Sequence, residues 1–385
     1  MDAWLLGADK DSERNFIWYE TGSMKIQTDD YWQNKRTFPL KYAIDSPQAI
    51  LDALRKAGIN ATARTQFSAE VIVKEDPFPQ DGSMRVIGVG IDPARDGDVF
   101  HLKSALSSGR WLEPGEEGLM MGAWLAEDLG AEVGYPVTIV MRTREGYYQT
   151  IDLTVTAILD VPNPAVNKGM IFIPLDLADY TLEMDGGVTE IAVGFPVTAD
   201  ILKEKSGVEE ITGKIVIPGA ELRVLTWKEM ALDFLGISAT KKSSSNIMLF
   251  LVFVIAAVGI SNTMLMAVYE RTKELGMMRA LGMKDRQIRF SLLFEAGGIG
   301  FLGSAVGTIL GVILVFIITK VGFDFSFMLR EIDVGYRIAG VMYGAWHPQA
   351  IVTAFVSGIV LTMIVSVIPT SRALKMEITD CLRDE

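Results

Sequence analysis

The chain has few of the residues that build metal or catalytic sites. Its 385 residues include one cysteine, Cys381, and two histidines, His101 and His347. A single cysteine excludes an intrachain disulfide, and histidines so far apart in sequence do not have the spacing of zinc ligands. We therefore predict no metal site and no catalytic residue. Cys381 is expected to be an incidental thiol, and both histidines ordinary surface or loop residues.

Glycine-rich nucleotide loops are missing as well. The only Gly-Lys pair, Gly213-Lys214, lacks both the upstream glycine and the following Ser or Thr of a phosphate-binding loop. Gly88-Val89-Gly90 lacks the third glycine of a dinucleotide-binding turn. The sequence thus predicts that this chain binds no cofactor and is not itself an enzyme.

Positive charge is scarce in the first part of the chain. Residues 1–244 hold 24 basic and 37 acidic residues, whereas residues 245–385 hold 12 and 11. Proteins bind nucleic-acid phosphates through clustered Lys and Arg, so this acidic region argues against a nucleic-acid partner. The composition is typical of a water-soluble domain followed by a membrane region.

Three apolar runs in the second part predict transmembrane helices, over 245–268, 290–318 and 350–368. As a helix, residues 247–268 of the first run would extend about 33 Å, enough to cross the hydrocarbon core of a bilayer. Between and after these runs lie segments 269–289, 319–349 and 369–385.

The distribution of basic residues predicts the orientation in the membrane. Lys and Arg are denser in segments 269–289 and 369–385, with six in 21 residues and three in 17, than in the 319–349 loop, with three in 31. By the positive-inside rule, we expect the first two to be cytoplasmic, and the loop and domain 1–244 to be extracytoplasmic. An exported domain needs an export signal, so we expect a first transmembrane helix upstream of Met1. The protein would then be a multi-pass protein of the inner membrane.

The segment between the first two apolar runs has apolar residues at helical spacing. Leu275, Met278 and Leu281 recur among charged residues. We expect them to form a compact apolar face that docks on a partner protein. An amphipathic turn lying on lipid head groups is the alternative. The expected rim residues are Arg271, Glu274 and Arg279, and the expected bends lie at Gly276 and Gly282.

The second apolar run contains small residues and one acid. Gly303, Gly307 and Gly311 repeat every four residues, a spacing that lets helices approach closely, within the chain or across a dimer. Glu295 lies near the start of the run. A carboxylate there either has a function or reaches back towards the cytoplasmic head groups.

The first 244 residues predict an α+β domain in two intermingled lobes. Alternating apolar residues predict a hairpin that joins 137–141 to 151–155. Ser46-Pro47 is typical of a helix start, and Gly58 of its end. The segment 227–242 predicts a helix that either continues into the first apolar run or is interrupted at Gly236 or within 241–245.

These motifs resemble those of FtsX-like ABC transporter permeases, the MacB-type or type VII group that includes LolC and LolE. In the second part, the resemblance is carried by Asn262-Thr263-Met264, Glu270–Gly276, Arg279–Gly282, Gln287-Ile288, Glu295, Ile368-Pro369, Arg372-Ala373 and Leu382-Arg383. In the first part, segments similar to the family's periplasmic core domain are Gly109-Arg110-Trp111, Gly122–Ala126 and Gly134–Val137.

The resemblance implies a fold and a set of coupling residues. The fold would be a helical membrane protein, with three visible transmembrane helices of an expected four, and a large extracytoplasmic α+β domain of the MacB periplasmic core type. By resemblance, the residues that couple the chain to an ATPase would be Glu270, Arg271, Glu274, Leu275, Gly276, Met278, Arg279, Leu281 and Gly282.

The resemblance also implies a function and partners. Cytoplasmic ABC ATPase subunits would bind ATP, and a second permease subunit would complete a homo- or heterodimer in the lipid. Mechanical movement would act on an extracytoplasmic substrate. The branch with the greatest similarity releases lipoproteins, with a periplasmic carrier or adaptor. The alternatives are peptide or antibiotic efflux with a periplasmic adaptor, and a non-transporting activator of cell-wall hydrolases.

Overall fold

The computed structural model of the chain describes residues 2–73, 82–215, 217, 220–324 and 340–375. These residues belong to two compact units. The sheet unit comprises Asp9–Gly236 and Asp324–Val341, and the helical unit comprises Met1–Ala8, Ile237–Phe323 and Met342–Glu385.

Helices and strands alternate along the first part of the chain. The helices are α1 (Asp2–Phe16), α2 (Asp29–Asn34), α3 (Pro47–Lys56), α4 (Ala123–Leu129), α5 (Pro164–Gly169), α6 (Leu175–Leu182), α7 (Ile201–Thr212) and α8 (Trp227–Met230). The strands are β1 (Met24–Thr28), β2 (Asn60–Val73), β3 (Gly82–Ile91), β4 (Leu106–Gly109), β5 (Gly118–Gly122), β6 (Pro136–Arg142), β7 (Tyr148–Leu159), β8 (Met170–Pro174), β9 (Glu190–Gly194) and β10 (Leu222–Thr226).

The described strands of the sheet unit form one ten-stranded sheet, and the division into two lobes stays a prediction. Its order is β10-β1-β9-β2-β3-β8-β5-β7-β4, and β6 pairs with both β2 and β7. The strands β2, β3, β8, β5, β7 and β6 therefore pair in a closed circuit, which removes exposed strand edges. Side chains that alternate along these strands, such as Val71, Ile139 and Val155, are buried in a shared apolar core.

Two local predictions in this unit are confirmed. Strands β6 and β7 pair as an antiparallel hairpin, with Ile139 opposite Ile151. Helix α3 starts with Pro47 in its first turn, and Gly58 follows it with a φ of 75°. Proline is favoured at that start because its missing N–H is not needed there, and glycine adopts positive φ without steric cost. The Ser46 side chain, however, makes no capping hydrogen bond.

The sheet also contains buried ion pairs. Arg64 Nε donates to Asp96 Oδ1 over 2.7 Å, and its guanidinium lies 3.2 Å from the Phe100 ring centroid. Lys25 Nζ lies 2.8 Å from a carboxylate oxygen of Glu190. Buried charges of this kind are stable only when they are paired and hydrogen-bonded.

The second part of the chain is helical. Its helices are α9 (Leu232–Glu270), α10 (Thr272–Ala280), α11 (Asp285–Val321) and α12 (Pro348–Ala373), and its short strands are β11 (Phe323–Asp324) and β12 (Val341–Met342). Helices α9, α11 and α12 are long and apolar enough to cross a membrane, with mean hydropathies of 2.3, 2.6 and 2.5. The three predicted apolar runs fall inside them.

Helix α9 starts earlier than either expected interruption. It runs through Gly236 and through 241–245 without a break, and the interruption lies at Ala231, between α8 and α9, where φ is −91° and ψ is 22°. A capping box precedes it, because the Thr226 hydroxyl accepts from Glu229 N and the Glu229 carboxylate accepts from Thr226 N.

Candidate functional site

The candidate site is the elbow, residues 269–289, which joins the first two membrane-crossing helices. Helix α9 ends at Glu270, and Arg271 leaves helical geometry with φ −105° and ψ 17° before α10 begins. Gly282 then turns the chain towards α11 with a φ of 90°. An L side chain is strained at that φ, so this position requires glycine.

The inner face of α10 packs against its own chain. Leu275 is only 6% exposed and belongs to an apolar cluster with Val268, Ile288 and Leu374, and Met278 packs against this cluster while partly buried. These contacts fasten α10 to the end of α9, the start of α11 and the residue that follows α12. Leu275 is therefore not available to a partner protein.

The outer face of α10 presents a different pair of apolar residues. Met277 is 53% exposed and Leu281 is 86% exposed. Leu281 directly follows the last residue of α10 and lies four positions after Met277, so the two side chains are about one turn apart on the same side, and Ala280 beside them is also exposed. Glu274 is exposed one turn before Met277.

The expectation that Leu275, Met278 and Leu281 form one exposed face is therefore corrected. Helix α10 has apolar residues on two sides, and the side with Leu275 and Met278 is buried within the chain. Met277 was missed by the sequence analysis. Its spacing from Leu281 is as regular as that of the predicted residues, so periodicity alone gives no basis for choosing between the two sides.

The expected rim arginines are both engaged within the chain. Arg271 Nη1 donates to Glu295 Oε1 over 2.5 Å, and Arg279 Nε lies 3.4 Å from Asp285 Oδ1. Glu295, the predicted intramembrane acid, thus has a specific partner on the elbow. Glu270 lies exposed at the end of α9.

The two glycines of the elbow have different positions. Gly282 makes the turn after α10, as expected. Gly276 is buried in the middle of α10 and therefore does not bend the chain at the start of the helix, which corrects its expected place.

The glycine face of α11 does not make close contacts among the described residues of this chain. A Cβ atom added to Gly303, Gly307 or Gly311 would have no neighbouring atom within 4 Å. Helices α11 and α12 instead approach closely at Gly300, where an added Cβ would lie 2.9 Å from Thr362 Cβ, and at Gly358, where an added Cβ would clash with Ser304 Oγ. Contact of the predicted face across a dimer stays a prediction.

That face borders a cleft in the helical unit. The cleft has a volume of about 490 Å³ and lies between α9, α11 and α12, with Gly307 and Gly311 in its wall. His347, which precedes α12, also lines it. His101 lies in the sheet unit, where its ring is 4.3 Å from that of Trp18 and burial lowers its pKa.

Among the described residues, no group of three or more His, Cys, Asp or Glu side chains has a metal-binding arrangement. Cys381, the Leu382-Arg383 motif and residues 325–339 of the 319–349 loop lie outside the described residues. The elbow thus has an exposed apolar face and is held to α11 by two ion pairs, an arrangement that suits it to binding another protein.

Comparison with known proteins gives similarities to membrane transport proteins. The FtsX-like permease C-terminal family model matches residues 246–378. The chain is 23% identical over 309 residues to the lipoprotein-releasing system transmembrane protein LolC of Xylella fastidiosa, covering 77% of this chain and 72% of LolC. It is 24% identical over 315 residues to LolC of Neisseria meningitidis serogroup B, with the same coverage.

Two further similarities concern MacB. The chain is 29% identical over 136 residues to the macrolide export ATP-binding/permease protein MacB of Haemophilus ducreyi, covering 35% of this chain and 17% of MacB. The solved periplasmic region of MacB from Actinobacillus actinomycetemcomitans matches with a TM-score of 0.39 and 12% identity, covering 57% of this chain and 94% of that one.

Proposed function

We propose that this chain, whose residues 246–378 match the FtsX-like permease C-terminal family model, is an ABC transporter permease of the LolC and MacB type and the permease subunit of a lipoprotein-releasing system. The length of the similarity supports this choice. The LolC matches extend over 77% of the chain, whereas the similarity to MacB of H. ducreyi covers 35%. Macrolide or peptide efflux is the second candidate, because the MacB similarity favours it.

In this proposal the ATPase is a separate cytoplasmic subunit that docks on the elbow. The single observation that carries the docking is the outer face of α10, where Met277 and Leu281 stand exposed while the opposite face is packed within the chain. A short amphipathic helix with such a face fits an apolar groove. Burying each side chain fully would contribute about 1.5–3 kcal/mol.

The proposed topology follows from the charges and the helices. The sheet unit would lie outside the cytoplasm and the elbow inside it, since basic residues concentrate on the elbow. The protein would sit in the inner membrane and pair with a second permease subunit. Force from the ATPase would then act through α9, α11 and α12 on cargo held outside.

The cargo is tested by photo-cross-linking from the sheet unit. Tyr148 and Tyr180, which are 69% and 82% exposed, would each be replaced by a photoreactive phenylalanine in the full chain. We expect mass spectrometry of the products to identify acylated lipoproteins. The matched control is the same lipoprotein with its acylated cysteine replaced, and it should not be captured.

Other products would overturn this function. Capture of peptides or small antibiotics instead of acylated lipoproteins would support efflux. Capture of a cell-wall hydrolase would support a non-transporting activator.

A further inference from the structure

An ion pair joins the elbow to a later residue of α11. Arg271 Nη1 and Glu295 Oε1 are 2.5 Å apart, although 24 positions separate the two residues in sequence. Arg271 occupies the non-helical junction between α9 and α10. Glu295 lies about three turns into α11, so the pair joins the junction to a membrane-crossing helix.

The surroundings of Glu295 make this pairing important. The acid stands in a helix whose following residues are apolar, and a lone carboxylate in such a helix is unfavourable in lipid. The guanidinium of Arg271 supplies the opposite charge. The two side chains are 50% and 45% exposed, so the ion pair can separate without disrupting buried apolar contacts.

Other contacts also join α10 to its neighbours. The apolar cluster that contains Leu275 includes Ile288 of α11, and Leu292 packs against it. Arg279 pairs with Asp285, the first residue of α11. The Arg271–Glu295 pair lies about one turn farther along α11 than Leu292, so it adds a charged contact between the α9–α10 junction and α11 beyond the apolar cluster.

We propose that Glu295 is a positioning residue that clamps the α9–α10 junction to α11, so that movement imposed on α10 by an ATPase reaches the membrane-crossing helix. This inference rests on the proposed docking of the ATPase on the elbow. An acid that only reached towards lipid head groups would need no particular partner. In that case, removing the charge of Arg271 would have no greater effect than removing the charge of another basic residue nearby.

The clamp is tested by measuring the distance between α10 and α11. The full chain with Cys381→Ser would be placed in lipid nanodiscs and spin-labelled at Ala280→Cys and Ile299→Cys. Pulsed electron paramagnetic resonance then measures the distance between the two labels. We expect a narrow distribution for the wild-type pair. Arg271→Gln or Glu295→Gln should raise the displaced population roughly tenfold, the effect expected for one charge-assisted hydrogen bond.

Two variants make the test specific to the pair. The exchange Arg271→Glu with Glu295→Arg should restore the narrow distribution, because it restores opposite charges at the same place. Arg289→Gln, which removes a basic residue of the elbow outside this pair, should leave the distribution unchanged. The clamp is wrong if the single variants keep the wild-type distribution, or if the exchange is as broad as they are.

A second measurement separates the clamp from the docking. Unlabelled Glu295→Gln should still co-purify with the ATPase subunit, because Met277 and Leu281 remain exposed. Its permease-dependent ATP hydrolysis should fall roughly tenfold and recover in the exchange variant. If the wild-type elbow itself fails to bind the ATPase, docking is wrong, and the distance distributions alone decide whether the clamp exists.

Discussion

The two units place charge and apolar surface in opposite ways. In the sheet unit, apolar side chains fill the interior, and charged pairs such as Arg64–Asp96 and Lys25–Glu190 are buried with them. In the helical unit, the most apolar 18-residue stretches of α9 and α11 contain no buried residue. A chain in water buries its apolar residues, whereas a helix in lipid turns them outward. The difference shows that one sequence is adapted to two solvents.

The elbow combines both arrangements within about twenty residues. Like the sheet unit, it has a buried apolar cluster around Leu275 and two ion pairs. It also leaves Met277 and Leu281 exposed about one helical turn apart, where no lipid core is expected to cover them. Because clustered exposed apolar residues often mark protein-binding surfaces, the proposal places the ATPase there.

The largest effect should come from breaking a buried charge pair in the sheet unit. Arg64→Met leaves the fully buried Asp96 carboxylate without its cation. Removing one partner of a buried pair typically costs about 3–5 kcal/mol. Urea unfolding of the full chain in nanodiscs, followed through the sheet unit by near-ultraviolet circular dichroism, would measure this loss.

An exposed pair in the same unit provides the control. Arg55 and Asp52 form an ion pair with side chains 54% and 55% exposed. Arg55→Met should cost at most about 1 kcal/mol. If both variants lose the same stability, burial of charge does not distinguish the interior of the sheet unit from its surface.

A smaller effect, on binding rather than folding, should come from the outer face of α10. Met277→Ser with Leu281→Ser should abolish co-purification of the ATPase subunit, while membrane insertion and the sheet unit stay intact. Loss of central apolar contacts at an interface typically costs about 2 kcal/mol or more. Pull-down of the co-expressed ATPase from detergent-solubilised membranes checks this result.

The same change made elsewhere tests whether the face is specific. Val133→Ser with Leu202→Ser removes two exposed apolar side chains of the sheet unit, 42% and 70% exposed. This variant should retain the ATPase. Retention by the α10 variant as well would show that docking does not use Met277 and Leu281.

Much of the fold could be predicted from local patterns. The three membrane-crossing helices follow from long apolar runs, and the β6–β7 hairpin and helix α3 follow from alternation, proline and glycine. The ten-stranded sheet could not be predicted, because it depends on contacts between distant segments. Strand β8, for example, pairs in parallel with β3, with Ile87 opposite Met170. No short-range pattern specifies such a partner.

The elbow could be predicted only in part for a related reason. Its position between two apolar runs and the turn at Gly282 follow from the sequence. Which apolar side of α10 is buried depends on Leu374, almost one hundred positions away, which packs against Leu275. The pairing of Arg271 with Glu295 depends in the same way on how two helices lie together. Long-range packing therefore decides which elbow residues remain available.

The smallest effect should be a pH dependence at the capping box that precedes α9. Burial raises the pKa of Glu229, but hydrogen bonds from Thr226 and Lys205 outweigh it, and the pKa lies below its usual value. A lowered pKa stabilises the fold above the pKa of the unfolded chain, and this contribution is lost as pH falls through the folded value, below about pH 4.5. Because the side chain is 39% exposed, the change should stay under about 1 kcal/mol. Glu229→Gln should remove this part of the acid sensitivity in thermal unfolding between pH 7 and pH 3. The control is Glu210→Gln, which removes the partner of Lys214 in an exposed ion pair and should change the acid sensitivity less. An unchanged acid profile in Glu229→Gln would mean that the capping box contributes nothing to the entry into α9.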